Sequence, residues 1–343
     1  MDKKFPKKKE KLQSIIFIRA CCCIGIVLFH YSCHSKGKIK FLYTTVNASF
    51  GFMFVTSFFC ISGAVLYYNY PKILSFKSFY YKRWKSILVP YYICFTYFFL
   101  KNVFQFHKFF YKGDWPKIFL TLIGLDGYLS YKIQTYYLVG EWFLGALIII
   151  YIIYPILLCL TKNNIIINNI IICFFYYLMY KQKFFDIHVT RNIITCVFSF
   201  YFGMEIIRFK KFYLTNQIPS IISVFLYIFL YTIKIKINFY ILIHQIQGFS
   251  LFLVLYRIGH YIMRTKINII FFKLANISFS IYLLHRHIIF AVLSLYNPEY
   301  WYIHILLFTI TISLTIICSN IHLMVVNFIF NSYIFKKIDS LFI

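Results

Sequence analysis

The chain reads as an all-α, polytopic integral membrane protein with about ten transmembrane helices. Three observations lead there. First, 61% of its 343 residues are hydrophobic and only 13% are charged, whereas soluble domains run near about 45–50% apolar and about 25% charged. Second, mostly apolar stretches of about 20 residues, the length of a bilayer-crossing helix, recur along the whole chain. Third, no polar region between them is long enough for a soluble domain. Together these exclude a disordered chain, a disulfide scaffold and an ordinary soluble enzyme.

In order, the expected spans are 14–33, 46–70, 86–105, 136–160, 164–180, 190–209, 218–233, 237–256, 268–294 and 301–333. The first is not a cleavable signal, since it holds Arg19 and His30 and lacks a small-residue cleavage site. The apolar piece 117–130 is too short to span. With Asp114, Asp126 and several glycines nearby it reads as an interfacial or re-entrant segment. The organisation is then a basic tail (1–13), one transmembrane domain (14–333) and a short tail (334–343), with no second domain expected.

The net charge of +27 comes from 36 Lys+Arg against 9 Asp+Glu. Lys3, Lys4, Lys7, Lys8, Lys9 and Lys11 precede the first span, and Lys72, Lys77, Lys82, Arg83 and Lys85 lie between the second and third. That bias places both termini in the cytoplasm. It also argues against nucleic acid as a partner, because no compact basic domain presents a stripe. The wealth of Ile, Phe, Tyr, Lys and Asn is in part what an AT-rich genome encodes. The 10 cysteines are scattered, apart from Cys21, Cys22 and Cys23, and no CxxC pair suggests zinc or a disulfide set.

Chemistry is sought in the polar residues that a membrane tolerates poorly. Arg19 and His30 share the first span. Eleven residues at about 100° each return to within about 20° of one helix face, with a rise of about 16 Å. Such a stripe suits a His acid/base and an Arg anion binder. In the ninth span Ser278, Tyr282 and His285 fall at i, i+4 and i+7, one face that either lines a pocket or joins helices. Glu141 is read as an interfacial carboxylate, or as a group that orients His30 or binds sugar hydroxyls. Glu205 is expected to pair with Arg208 at i+3. A polytopic glycan transporter or flippase is a second function class compatible with an intramembrane Arg/His stripe, although no internal repeat relates two halves of the chain.

The Arg-x10-His spacing resembles the hallmark of the membrane acyltransferase-3 family, the polysaccharide O-acyltransferases, and the resemblance continues in order. GFMFVTSFFCISG (51–63) is similar to the family's G-x-x-x-F-F-x-x-S-G segment, and FYYKRWKSILVPYY (79–92) to its basic loop leading into Ile-Leu-x-Pro-Tyr. EWFLGALIIIYIIYPIL, FSFYFGMEI and ISFSIYLLHRHII resemble its later Trp-Phe-Leu…Tyr…Pro, Phe-Phe-x-Gly and Ser-Ile-Tyr-Leu-x-His patterns. Gly140 and Glu141 depart from a His-Leu-Trp that is common there, and Ser86 stands where another basic residue is often found.

The resemblance implies transfer of an acyl group, usually acetyl, from acyl-CoA to a hydroxyl of a surface polysaccharide or its lipid-linked precursor, in a bacterial inner membrane. It implies His30 as general base and Arg19 as donor-binding or orienting group. Lys82, Arg83 and Lys85 would hold the CoA phosphates, and Ser62, Glu141, Trp142, Ser278, Tyr282 and His285 would contact substrate. Acyl-CoA is a substrate here, and no permanently bound cofactor or metal is implied.

Overall fold

A computed structural model describes residues 12–35, 50–111, 114–161, 165–182, 187–232 and 240–342. The basic N-terminal tail (1–11) lies outside them. Every regular element among the described residues is helical. Helix α1 is Gln13–His34, α2 Phe50–Asn69, α3 Phe76–Phe106 and α6 Glu141–Leu160. Between the last two lie the short helices α4 (Ile118–Leu122) and α5 (Asp126–Leu129). There follow α7 (Ile165–Gln182), α8 (Ile193–Arg208), α9 (Lys210–Thr215), α10 (Ile218–Thr232) and α11 (Tyr240–Ile262). The chain closes with α12 (Asn268–Leu295), α13 (Trp301–Asn331) and α14 (Tyr333–Phe342).

Six of these helices, α1, α2, α3, α6, α12 and α13, are long and apolar enough to cross a membrane, among the described residues. The other expected spans also fold as helices. Three of them are only 18, 16 and 15 residues long, about 23–27 Å against a hydrocarbon core of about 30 Å. The fourth, α11, buries His244, Gln245 and Gln247 within about one turn. Among the described residues, length and apolarity mark six spans and leave the other four expected ones unmarked.

One boundary differs from the sequence expectation. The basic stretch before residue 86 is not a loop. Helix α3 begins at Phe76, where the Ser75 side chain accepts from the Ser78 N–H, so Lys77, Lys82, Arg83 and Lys85 ride on its first turns. At 31 residues, α3 is about 46 Å long and overshoots the bilayer core, which leaves its cationic start near the interface. The segment 117–130 does not span: it folds into α4 and α5 and buries Asp126. That carboxylate accepts from Tyr91 Oη at 3.0 and 3.1 Å, from Thr121 Oγ1 at 3.3 Å and from the Gly127 N–H at 2.8 Å.

The core is set by close helix crossings. Gly63 of α2 lies against the Phe200 carbonyl of α8, and Gly203 of α8 lies reciprocally against the Cys60 carbonyl of α2. A Cβ at either position would overlap the facing oxygen, so two glycines bring the backbones together. Helix α1 packs on α2, α11 and α12, and α12 in turn on α13. His322 of α13 joins three helices by bonding Ser280 Oγ at 2.9 Å and the Pro90 carbonyl at 3.0 Å. Glu205 meets Arg208 at 3.4 Å, the i+3 pair expected.

Helix α14, Tyr333–Phe342, docks on α3. Asp339 accepts from Lys85 Nζ at 2.6 and 2.8 Å and from Tyr81 Oη at 2.7 Å, while Phe342 stacks on Tyr81. The Lys85 and Tyr81 hydrogen bonds hold the Asp339 carboxyl below its ordinary value. A depressed carboxylate contributes fully above its ordinary value, and the contribution is lost as pH falls through the lower, docked-state value. Undocking is therefore expected only below the usual carboxylate range, read by fluorescence of Trp84, which stacks near Phe335. Asp339→Asn is expected to give the undocked signal already at neutral pH; an unchanged signal would assign docking to the apolar contacts alone.

Candidate active site

A cavity of about 540 Å³ opens between α1, α2, α3, α6, α12 and the turn before α8. Helix α1 contributes Arg19, Ile26, Phe29 and His30, and α2 contributes Ser62 with apolar neighbours. Arg83 and Ser86 reach it from α3, Trp142, Phe143 and Tyr151 from α6, and Ser278, Phe279, Tyr282 and His285 from α12. Thr190 and Arg191 complete the wall. The one-face geometry of Arg19 and His30 in α1 puts both on the same cavity, about three helical turns apart.

At one end, His30 and His285 face each other with ring centroids 5.0 Å apart. His285 Nδ1 lies 3.0 Å from the Ile281 carbonyl and 2.8 Å from the Tyr282 carbonyl. Carbonyls only accept, so Nδ1 carries the proton of the neutral ring and Nε2 is its basic nitrogen. Next to it, the Tyr282 hydroxyl donates to the Gly140 carbonyl and accepts from the Leu144 N–H at 3.2 Å. Gly140 adopts φ +90° just before α6, a backbone state that glycine tolerates and that turns its carbonyl toward Tyr282. Tyr282 thus joins α12 to α6 and lines the cavity at once. The stripe's third member, Ser278, donates to the Ala275 carbonyl at 2.8 Å.

At the other end, Tyr151 sits within electrostatic reach of Arg83 and Arg19 and beside Ser62. Arg83 donates to Tyr70 Oη at 3.3 Å and lies over that ring, while its Nε is buried with no hydrogen-bond partner among the described residues. Arg19 makes no ion pair with a described residue, and no described Asp or Glu lines the cavity. Guanidinium groups held so deep without a carboxylate are costly unless an anion joins them.

Of the residues singled out from sequence, Arg19, His30, Ser62, Arg83, Trp142, Ser278, Tyr282 and His285 share this cavity. Lys82 and Lys85 do not line it, and Lys85 is committed to Asp339. Glu141 opens α6, but its side chain is outside the described residues. None of the cysteines lines the cavity; Cys23 Sγ points to the Ser278 carbonyl at 3.7 Å. Arg286 and His287 face elsewhere, onto the Tyr137 hydroxyl and the Leu138 carbonyl.

Sequence reasoning passed over Tyr151, Thr190 and Arg191. The motif in α6 marks a tyrosine, yet only packing separates Tyr151, in the cavity, from Tyr154, which donates to the Tyr70 carbonyl at 2.8 Å. Arg191 looked like an ordinary basic residue at a span end.

In a comparison with protein families, the acyltransferase domain model Acyl_transf_3 matches residues 12–323. No curated protein and no solved structure matches the chain. The match runs from the first turn of α1 into α13, and so takes in every wall of the cavity.

Proposed function

The chain belongs to the acyltransferase-3 family, and from that premise we propose that it is a membrane O-acyltransferase that moves an acetyl group from acetyl-CoA to a hydroxyl of a cell-surface polysaccharide or its lipid-linked precursor. The observation that carries this reading is one cavity with a histidine pair at one end and, at the other, arginines that make no ion pair with a described residue.

His30 takes the proton of the acceptor hydroxyl as that oxygen attacks the thioester carbonyl carbon. The carbon–sulfur bond then breaks, and the proton passes to the leaving CoA thiolate. A hydroxyl is a poor nucleophile at neutral pH, and an imidazole is the side chain whose basicity suits the task. His285, anchored through Nδ1, stands beside His30 to orient it and share its charge. Arg19, Arg83 and the Tyr151 hydroxyl form the donor end, where a diphosphate would meet planar, charge-assisted donors. The rise of about 16 Å between Arg19 and His30 is comparable to the reach of a pantetheine arm from diphosphate to thioester. On this reading the chain lies in a bacterial inner membrane with both termini cytoplasmic. The shorter helices α7, α8 and α10 and the more polar α11 then complete ten passages beside the six long ones.

The test uses purified full-length protein, labelled acetyl-CoA and a panel of glycans. Label is expected in glycan and free CoA in equal amount. Arg19→Gln is expected to raise KM for acetyl-CoA about tenfold or more, since a charge-assisted hydrogen bond contributes about 1.5–3 kcal/mol. Acceptor KM should move little. A donor KM equal to wild type would remove Arg19 from the donor end.

A further inference from the structure

The positive charge of the cavity sits in two places, and an acyl-CoA donor accounts for only one. Arg19 and Arg83 gather around Tyr151. Arg191 lies elsewhere. It closes the short 3-10 turn Val189–Arg191, and its guanidinium carbon lies over the Trp142 ring, 5.8 Å from the centroid. Trp142 stands in the first turn of α6, between Gly140 and Leu144, the two residues that hold the Tyr282 hydroxyl. Arg191 therefore belongs to the half of the cavity that contains Tyr282, His285 and His30.

The turn that carries Arg191 is fixed. The Thr190 N–H donates to His188 Nδ1, the Arg191 N–H to the His188 carbonyl at 2.8 Å, and the Asn192 side chain accepts from the Ile194 N–H at 3.0 Å to start α8. Arg191 makes no ion pair with a described residue, and none of the described lining residues is acidic. A guanidinium held beside an aromatic ring keeps its planar N–H fork for other partners, a geometry suited to a carboxylate or phosphate. The reacting end of the donor offers it nothing, because a thioester is neutral and the CoA phosphates are placed at Arg19 and Arg83. An anion carried by the other substrate would meet this fork.

We propose that Arg191, Trp142 and Thr190 form an acceptor subsite for an anionic saccharide, one bearing a carboxylate or phosphate close to the hydroxyl that is acylated. This rests on the acyl-transfer reading above and narrows its acceptor from any glycan to an acidic one.

The experiment offers purified full-length protein and labelled acetyl-CoA three probes: glucose, glucuronic acid and glucose 1-phosphate. At least one anionic probe is expected to be acylated with kcat/KM about tenfold above glucose, the ratio of one charge-assisted contact. Which of the two it is separates a carboxylate acceptor from a phosphate one. Arg191→Gln should collapse that ratio to near one, mainly through acceptor KM. Arg191→Lys, which keeps the charge, should retain part of it. Equal wild-type rates on all three probes would overturn the subsite, as would a ratio that survives Arg191→Gln. An equal loss on charged and neutral probes would instead assign Arg191 to the reaction itself. If acetyl-CoA is cleaved but no probe is labelled, the subsite falls and acyl-CoA chemistry stands. If acetyl-CoA is not cleaved at all, both fall.

Discussion

His30→Ala is expected to lower label transfer from acetyl-CoA by about 10²–10⁴-fold, the range that a positioned general base contributes, while the protein still folds. The site explains both halves of that expectation. His30 is half-buried on the cavity wall, its ring 5.0 Å from that of His285, so truncation enlarges a space that is already open and leaves no packed void behind. Thermal unfolding should therefore shift little, and donor binding at Arg19, about 16 Å away, should persist. His285→Ala separates the roles of the two rings. If His285 orients and shares charge with His30, kcat falls and the pH profile moves while donor KM holds. Normal turnover by His30→Ala would refute the catalytic assignment, and normal turnover by His285→Ala would reduce that ring to a wall.

The second large effect is structural. Gly203→Ala, or Gly63→Ala, is expected to destabilise the protein by about 1–3 kcal/mol, the usual cost of forcing extra volume into a packed crossing. Alanine favours a helix over glycine by about 1 kcal/mol, and at an exposed position that gain would win. Here it does not, because the new Cβ would overlap the Cys60 carbonyl oxygen, or the Phe200 oxygen for Gly63. Backbone cannot turn aside as a side chain can, so α2 and α8 must separate. Ser62, beside Gly63, lines the cavity, so activity should fall with stability. The measurement is the unfolding temperature in detergent alongside label transfer. A Tm equal to wild type for both variants would show that the crossing is looser than described.

Much of the site was legible in the sequence because the relevant regularities are local. Arg19 and His30 lie on one side of a single helix whatever surrounds it, and so do Ser278, Tyr282 and His285. The membrane makes such residues conspicuous, since polar groups there are rare and expensive. The long apolar stretches gave helices at each expected span. Where the described helices run to only 15–18 residues, length no longer marks a span by itself, and the expectation of about ten rests there on hydropathy.

The donor cluster was less legible. Lys82, Arg83 and Lys85 read as equivalent charges in a loop, yet they sit on a helix, and about 200° of rotation separates Arg83 from Lys85. Arg83 faces the cavity and Lys85 faces Asp339. The α6 motif marked a tyrosine without separating Tyr151 from Tyr154, and Arg191 carried no local mark at all. Asp126 was dismissed as part of an interfacial segment, but the Tyr91 hydroxyl from α3 makes it a buried, bonded carboxylate.

By itself, then, the sequence determined that this is a helical membrane protein, that its first helix carries an Arg/His stripe, and which family it resembles. The first two follow from composition and from periodicity within single helices, and the resemblance from the order of short motifs along the chain. The tertiary structure decided which faces meet. It brought α1 and α12 together so that two histidines confront one another, took Lys85 out of the donor end, and added Tyr151 and Arg191 to the cavity. Such pairings depend on contacts between residues far apart in the chain, on glycines that let two backbones touch and on a positive-φ turn that aims one carbonyl, none of which any single helical period contains.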